Sequence, residues 1–227
     1  MAEPVRAVLT DLEGAALPAS FVTQTLGLLA RERLADYIGQ HAADPDIEDA
    51  LDEAGRLLGG FCLKPEEASA LLLRWMKQDR KATPLKLIQG LIWREAYEAG
   101  SLTSELYADV ADCLKAWASA GLRLFVYSSN SELAQKLLLS RTSSGDLTPL
   151  FEAFFDTTIG QKIEPASYRA ISDRLALPCE SILVLSSNED ELDAARTAGL
   201  ATVKIAREEH ADSRHPVCLD FASLKLG

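Results

Sequence analysis

Four short apolar runs punctuate the chain, at Val5–Leu9, Leu122–Tyr127, Ile182–Leu185 and Leu200–Ile205. Each ends in small or polar residues. Unbroken apolar runs of this length suit strands buried on both faces, as in a parallel sheet covered by helices. The segment AFFDTT (153–158) reads as a further short strand or edge. Between the runs the apolar spacing becomes helical. Residues 104–121 put Leu106, Val110, Cys113, Leu114 and Trp117 on one face and stop at Gly121. Further helices are predicted over 131–141, with Ser131 as N-cap, over 164–178, and over 190–199, ending at Gly199. Strand and helix in alternation predict an α/β fold built on a doubly wound parallel sheet.

Residues 18–103 break this rhythm. Segments such as ASFVTQTLGLLARERLADYIGQHA, PEEASALLLRWMKQDR and TPLKLIQGLIWREAYEAG are helical nearly throughout. The simplest account is an all-helical cap inserted after the first strand. Residues 1–17 and 104–227 then form the α/β core and 18–103 the cap.

Composition narrows the function. Of 227 residues, 48% are hydrophobic, enough for a large core. The net charge of −11 argues against nucleic acid or an anionic membrane as partner, but leaves room for a small phosphorylated metabolite. No apolar run reaches the roughly 18–20 residues of a membrane span, and Met-Ala-Glu-Pro lacks the character of a signal peptide. A cytoplasmic protein, monomeric, is expected. Cys62, Cys113, Cys179 and Cys218 are widely spaced and read as reduced packing residues. His41, His210 and His215 have no i, i+4 spacing that would suit zinc.

In an open parallel sheet, ligands bind beyond the C-terminal ends of the strands. The first run delivers Asp11, Glu13 and Gly14 there. The second delivers Ser128, Ser129, Asn130 and Ser131; the third delivers SSNEDELD from Ser186 to Asp193. Lys162 precedes a helix. Singly, such residues are commonly turn, cap or solvated surface groups. Together they form a set able to hold Mg²⁺ and a phosphate. Asp11 can attack phosphorus to give an aspartyl-phosphate. Glu13 can protonate the leaving oxygen and then activate water. Mg²⁺ would offset the repulsion between two anions, Ser128 can donate to phosphate, and Lys162 supplies a point charge.

This set resembles the haloacid dehalogenase superfamily of phosphatases and, more narrowly, the enolase-phosphatase E1 (acireductone synthase) family of methionine salvage. The family's opening D-x-E-G-T reads here Asp11-Leu-Glu13-Gly14-Ala15. The long matches are DRKATPLKLIQGLIWREAYEAGSL and VYSSNSELAQKLLLSRTSSGDLTPLFEAFFDTTIGQK. The resemblance implies a Rossmannoid core with a helical cap. It also implies one Mg²⁺, and conversion of 2,3-diketo-5-methylthiopentyl-1-phosphate to the acireductone. By motif, Asp11 and Glu13 become catalytic residues and metal ligands, while Ser128, Ser129 and Lys162 contact phosphate. The segment DRKATPLK is expected to face substrate, through Arg80, Lys81 or Lys86, with packing inside the cap as the alternative.

Three positions depart from the family pattern. Ala15 replaces a Thr, Asn130 a Gly, and Ser187 the Asp expected as third metal ligand; Glu191 keeps the acid four residues on. Mg²⁺ often uses only one or two carboxylates with substrate phosphate. Glu189 or Asp190 could also stand in for the lost acid. The alternatives are a silent homologue that binds a phosphorylated ligand or partner, and a related phosphatase of different substrate. The chain has no G-x-G-x-x-G after the first run and no G-x-S-x-G, which speaks against dinucleotide binding and serine hydrolysis.

Overall fold

The computed structural model describes residues 4–80, 82–207 and 212–226; Lys81 and His210 fall outside them. The chain divides into two compact units, one of residues 1–21 and 103–227, the other of residues 22–102.

The first unit is built on a sheet of six parallel strands. These are β1 (Ala7–Thr10), β2 (Arg123–Tyr127), β3 (Phe151–Phe155), β4 (Ile182–Ser186), β5 (Ala201–Ile205) and β6 (Val217–Cys218). Their spatial order is β3-β2-β1-β4-β5-β6, with every pairing parallel. β1 lies in the centre, and all four of its residues are buried. That explains its unbroken apolar reading: a central parallel strand has no face for water. Ala7, Leu9, Phe125, Tyr127, Ile182 and Val184 share one face of the sheet. They pack in a single core with Tyr168, Ile171 and Leu175 of α7 (Pro165–Leu175) and Leu192 and Ala195 of α8 (Glu189–Thr197). Fully burying each such aliphatic side chain stabilises the fold by about 1.5–3 kcal/mol. The alternate residues Val8, Leu124 and Val126 point to the opposite face. On the β2 and β3 side, α5 (Val110–Ser119) contacts β2 and α6 (Glu132–Ser140) contacts β3.

The order of the strands reverses beside β1, since the chain runs outward to β2 and β3 on one side and to β4, β5 and β6 on the other. Such a switch point leaves a crevice beyond the strand ends. Asp11 and Ser187 follow the ends of β1 and β4 directly.

The helix expected from residue 104 begins at Val110 instead. Its first residues are taken by tertiary hydrogen bonds. Ser104 N donates to the Arg141 carbonyl at 2.8 Å and Tyr107 N to the Ala16 carbonyl at 3.1 Å. β6 was not expected; two residues with no apolar run leave no periodic signal. Ser131 does cap α6, its Oγ accepting from Ala134 N at 3.3 Å.

The second unit contains α1 (Gly27–His41), α2 (Pro45–Leu58), α3 (Pro65–Lys77) and α4 (Thr83–Glu98). A π-helical turn, Phe21–Leu26, leads into α1. Pro stands within the first two positions of α2, α3 and α4, where its missing N–H costs nothing. Trp93 Nε1 donates to the Leu26 carbonyl at 3.0 Å and ties α4 to the start of α1. The Arg80 guanidinium lies 4.2 Å from the Trp75 ring centroid, which gives this arginine a packing partner within the helical unit. Lys86 is half-buried on α4.

Among the described residues no helix is long and apolar enough to cross a membrane. The four cysteines are free thiols.

Candidate active site

Asp11 is the first residue past β1. Its main-chain N–H still donates to Leu185 O at 2.8 Å, so the sheet ladder fixes its position. Its Oδ1 accepts from Leu12 N at 2.8 Å and meets Lys162 Nζ at 2.8 Å. Lys162 Nζ also meets Glu191 Oε2 at 2.8 Å, and the same oxygen accepts from Ser186 Oγ at 2.7 Å. The lysine and both carboxylates are about nine-tenths buried. One ammonium thus bridges two acids at the ends of β1 and α8.

Burial shapes the charges. It pushes the Asp11 carboxyl up from 3.8 to about 6, against the pull of Lys162 and with help from the negative charges of Glu191 and Glu13. Burial alone would lower the Lys162 ammonium. Asp11 and Glu191 outweigh it and hold Lys162 above the ordinary lysine value.

The loop that carries Lys162 is clamped from below. Tyr127 Oη donates to Gly160 O at 2.9 Å, and Ser167 Oγ donates to Gln161 O at 2.8 Å. Gly160 has φ +141°, and a Cβ there would fall 2.1 Å from Ser167 Oγ. Only glycine allows the loop to close so tightly on the helix that follows. The Tyr127 ring centroid lies 5.8 Å from Lys162 Nζ, and Tyr168 meets Tyr127 edge to face.

Glu13 is half-buried, and its Oε1 accepts from Asn130 Nδ2 at 2.7 Å. The residue that replaces a family glycine therefore holds the second acid. Ser128 is buried, and its Oγ accepts from Asn130 N at 3.2 Å, which leaves the hydroxyl proton available to a ligand. Ser129 is exposed. Gln135 is fully buried and was missed in the sequence. Its Nε2 donates to Asn130 O and Phe155 O, both at 2.8 Å, and so joins the ends of β2 and β3. A glutamine within a helical stretch gives no sequence signal for that task.

Ser187 is half-buried, and its Oγ donates weakly to the Glu13 carbonyl at 3.4 Å. Gly14 (φ +78°) makes this approach possible, since a Cβ there would lie 2.5 Å from Ser187 Oγ. Of the acids beyond Ser187, Glu189 is engaged elsewhere. It pairs with Lys204 at 2.8 Å, and that bond, with Ser213, holds it down at about 2. Asp190 is exposed, its N–H capped by Asn188 Oδ1 at 2.9 Å. Among the described residues no group of three His, Cys, Asp or Glu could hold a metal ion. Oxygen donors are nevertheless present: the Asp11 carboxylate, the Glu13 main-chain carbonyl and Ser187 Oγ. In donor type this set fits Mg²⁺, with one charged ligand and two neutral ones.

Behind the loop that follows Asp11, Arg207 donates to Ala15 O from Nε at 3.0 Å and also from Nη2. Its Nη1 donates to Asp109 Oδ1 at 2.7 Å, Asp109 Oδ2 accepts from Phe221 N at 2.7 Å, and the guanidinium lies 4.1 Å from the Tyr107 ring centroid. Arg207→Ala would leave Asp109 largely buried without its cation. The expected loss is about 3 kcal/mol, read as a fall of about 6–12 °C in Tm, with Arg207→Lys recovering only part. An unchanged Tm in Arg207→Ala would show that the pair does not anchor the loop.

Comparison with known proteins adds to this geometry. A family model described as haloacid dehalogenase-like hydrolase matches residues 5–199. An enolase-phosphatase E1 of Xanthobacter autotrophicus is 59% identical over 98% of this chain and 99% of its own. One of Parvibaculum lavamentivorans is 48% identical over 97% and 95%. Among solved structures, the UTR4 protein of Saccharomyces cerevisiae has a TM-score of 0.81 at 29% identity, covering 97% of this chain and 100% of its own. The chain belongs to the enolase-phosphatase E1 family of haloacid dehalogenase-like hydrolases.

Proposed function

We propose that this chain is the phosphohydrolase of methionine salvage that converts 2,3-diketo-5-methylthiopentyl-1-phosphate to the acireductone, with Asp11 as nucleophile. The observation that carries the reading is the buried Lys162 ammonium shared by Asp11 and Glu191 at the switch point of the sheet. Both contacts to Asp11 from Leu12 N and Lys162 fall on Oδ1, which leaves Oδ2 as the attacking oxygen. The C1 proton of the diketone first passes to the neighbouring carbonyl oxygen to give the enol phosphate; attack by Asp11 then forms an O–P bond and breaks the ester P–O bond. Glu13, steadied by Asn130, gives its proton to the departing oxygen. Glu13 then takes a proton from water as that water displaces Asp11 from phosphorus, which releases inorganic phosphate. Ser128 and Ser129 donate to the phosphate oxygens, and Lys162 places positive charge beside them.

Asp11, the Glu13 carbonyl and Ser187 are the residues that would hold one Mg²⁺, which when bound supplies positive charge against the phosphate. The helical unit between β1 and α5 is assigned the role of a cap. Ser187 favours a second reading, in which the chain binds a phosphorylated ligand without turning it over.

The test is phosphate release by the purified, metal-stripped chain, titrated with Mg²⁺, from the diketone phosphate and from a panel of sugar and keto phosphates. The expected result is Mg²⁺-dependent release, with kcat/KM for the diketone phosphate ~100-fold or more above the panel. Equal rates across the panel would reassign the substrate. Ligand-dependent thermal stabilisation without release would establish the second reading.

A further inference from the structure

The charge count of this centre sets how a cation and a phosphate can enter it. In this centre the carboxylates of Asp11 and Glu191 share the ammonium of Lys162, a formal sum of −1 from two negative charges and one positive, with the Glu13 carboxyl close to Asp11. These acids are not all available to a cation. Glu191 is held by Lys162 and by the Ser186 hydroxyl, and Glu13 Oε1 is held by Asn130. The Ser187 side of the centre offers one carboxylate, that of Asp11, beside two neutral oxygens, and Ser187 Oγ already rests on one of these, the Glu13 carbonyl. The neighbouring acid Glu189 is tied to Lys204.

Mg²⁺ gives up its water reluctantly and needs charged oxygen to compensate. A single carboxylate, already shared with a lysine, is a poor cage for it. A phosphate dianion meets the opposite difficulty, because a net negative, largely buried centre repels it. Each ligand supplies what the other lacks.

We propose that Mg²⁺ and the phosphate group bind this chain as a coupled pair, neither tightly without the other, because Ser187 removes the second charged ligand. The inference rests on the reading of the centre as a phosphohydrolase site. Coupling of this kind is reciprocal. The factor by which phosphate improves Mg²⁺ affinity equals the factor by which Mg²⁺ improves phosphate affinity. Turnover is then gated by arrival of the substrate, and product phosphate leaves together with the loss of the ion. Ser187→Asp restores a second charged ligand. It should let Mg²⁺ bind alone while weakening the help that phosphate gives.

Thermal unfolding of the metal-stripped full chain tests this without turnover. Mg²⁺ alone, inorganic phosphate alone and both together are titrated, and the midpoint of each Tm shift is read. The expected result is a Mg²⁺ midpoint lowered ~10-fold or more by saturating phosphate, and a phosphate midpoint lowered by the same factor by Mg²⁺. In Ser187→Asp, the Mg²⁺ midpoint without phosphate falls by a similar factor and the effect of phosphate shrinks. A wild-type Mg²⁺ midpoint that phosphate does not move overturns the coupling, even if the variant does not fold. Coupling that persists undiminished in a folded Ser187→Asp overturns the role given to Ser187. Phosphate release measured in parallel at saturating Mg²⁺ separates the two claims. Release with independent midpoints sinks the coupling alone, and coupled midpoints without release sink the hydrolase reading alone.

Discussion

Asp11→Asn is expected to reduce phosphate release by ~10⁴-fold or more while making the metal-free protein more stable at pH 7. The first effect follows from removing the attacking oxygen, since an amide cannot form the acyl-phosphate. The second follows from burial. The folded state raises the Asp11 carboxyl from 3.8 to about 6. Between about pH 4 and 6 the folded chain therefore binds more protons at this group than the unfolded chain does. Stability falls as pH rises through that window, and the ionised carboxylate costs on the order of 2–3 kcal/mol at neutral pH. Asparagine carries no charge to desolvate and no repulsion toward Glu191 or Glu13. It can keep an oxygen toward Leu12 N, and Lys162 keeps Glu191. Denaturant unfolding in chelator should show a gain of about 1–2 kcal/mol at pH 7 that disappears by about pH 4, where wild-type Asp11 is itself protonated. A variant less stable than wild type at pH 7 would mean that the Lys162 pair outweighs the burial of the charge.

Much of this arrangement was readable from the sequence because local chemistry and fold geometry coincide. The runs that became β1, β2 and β4 are continuous because those strands are buried along nearly their whole length, whereas β5, with Thr202 and Lys204 in its run, is mostly half-buried. Parallel strands also place their C-terminal ends on one edge, so Asp11, Ser128 and Ser187 could be brought together before any contact was known. Lys162 was legible as a lysine before a helix, but its sharing by Asp11 and Glu191 was not. That geometry depends on Gly160 closing against Ser167 and on Tyr127 holding the Gly160 carbonyl. Arg207 was illegible altogether, since its target, Ala15 O, lies 192 residues away in the chain. The early start expected for α5 failed for a related reason. Ser104 and Tyr107 continue an apolar helical pattern, but their N–H groups go to carbonyls of distant segments, and tertiary hydrogen bonds outweigh a weak local preference. By backbone preference alone, Asn130 is a mild replacement for a family glycine, since Asn tolerates the left-handed region better than most residues. Its contact with Glu13 is a side-chain role that backbone propensity cannot foretell.

Lys162→Met should cost activity and stability together, and the stability loss should grow with pH. The substitution leaves Asp11 and Glu191 buried next to each other with no cation. Burial and mutual repulsion then act on Asp11 without opposition, so its carboxyl rises beyond the value of about 6 that it has beside the lysine. At pH 7 the nucleophile is mostly protonated, and phosphate release is expected to fall by ~10³-fold or more. For stability the sign is fixed by the raised carboxyl. The folded variant stays protonated where the unfolded chain has already ionised, so its stability declines steadily from about pH 4 upward. The difference from wild type should be small near pH 5 and reach about 3–5 kcal/mol by pH 8, the usual cost of breaking a buried pair. In wild type the decline is confined to about pH 4–6, where Asp11 ionises, and Lys162, held above the ordinary lysine value, keeps its charge at pH 8 and adds no further loss. Lys162→Met combined with Glu191→Gln removes the repulsion and should recover much of the stability at pH 8 without recovering phosphate release. Recovery of both would reduce Lys162 to a counter-ion for Glu191. A stability difference that does not change between pH 5 and 8 would show that the lysine acts by packing and not by its charge.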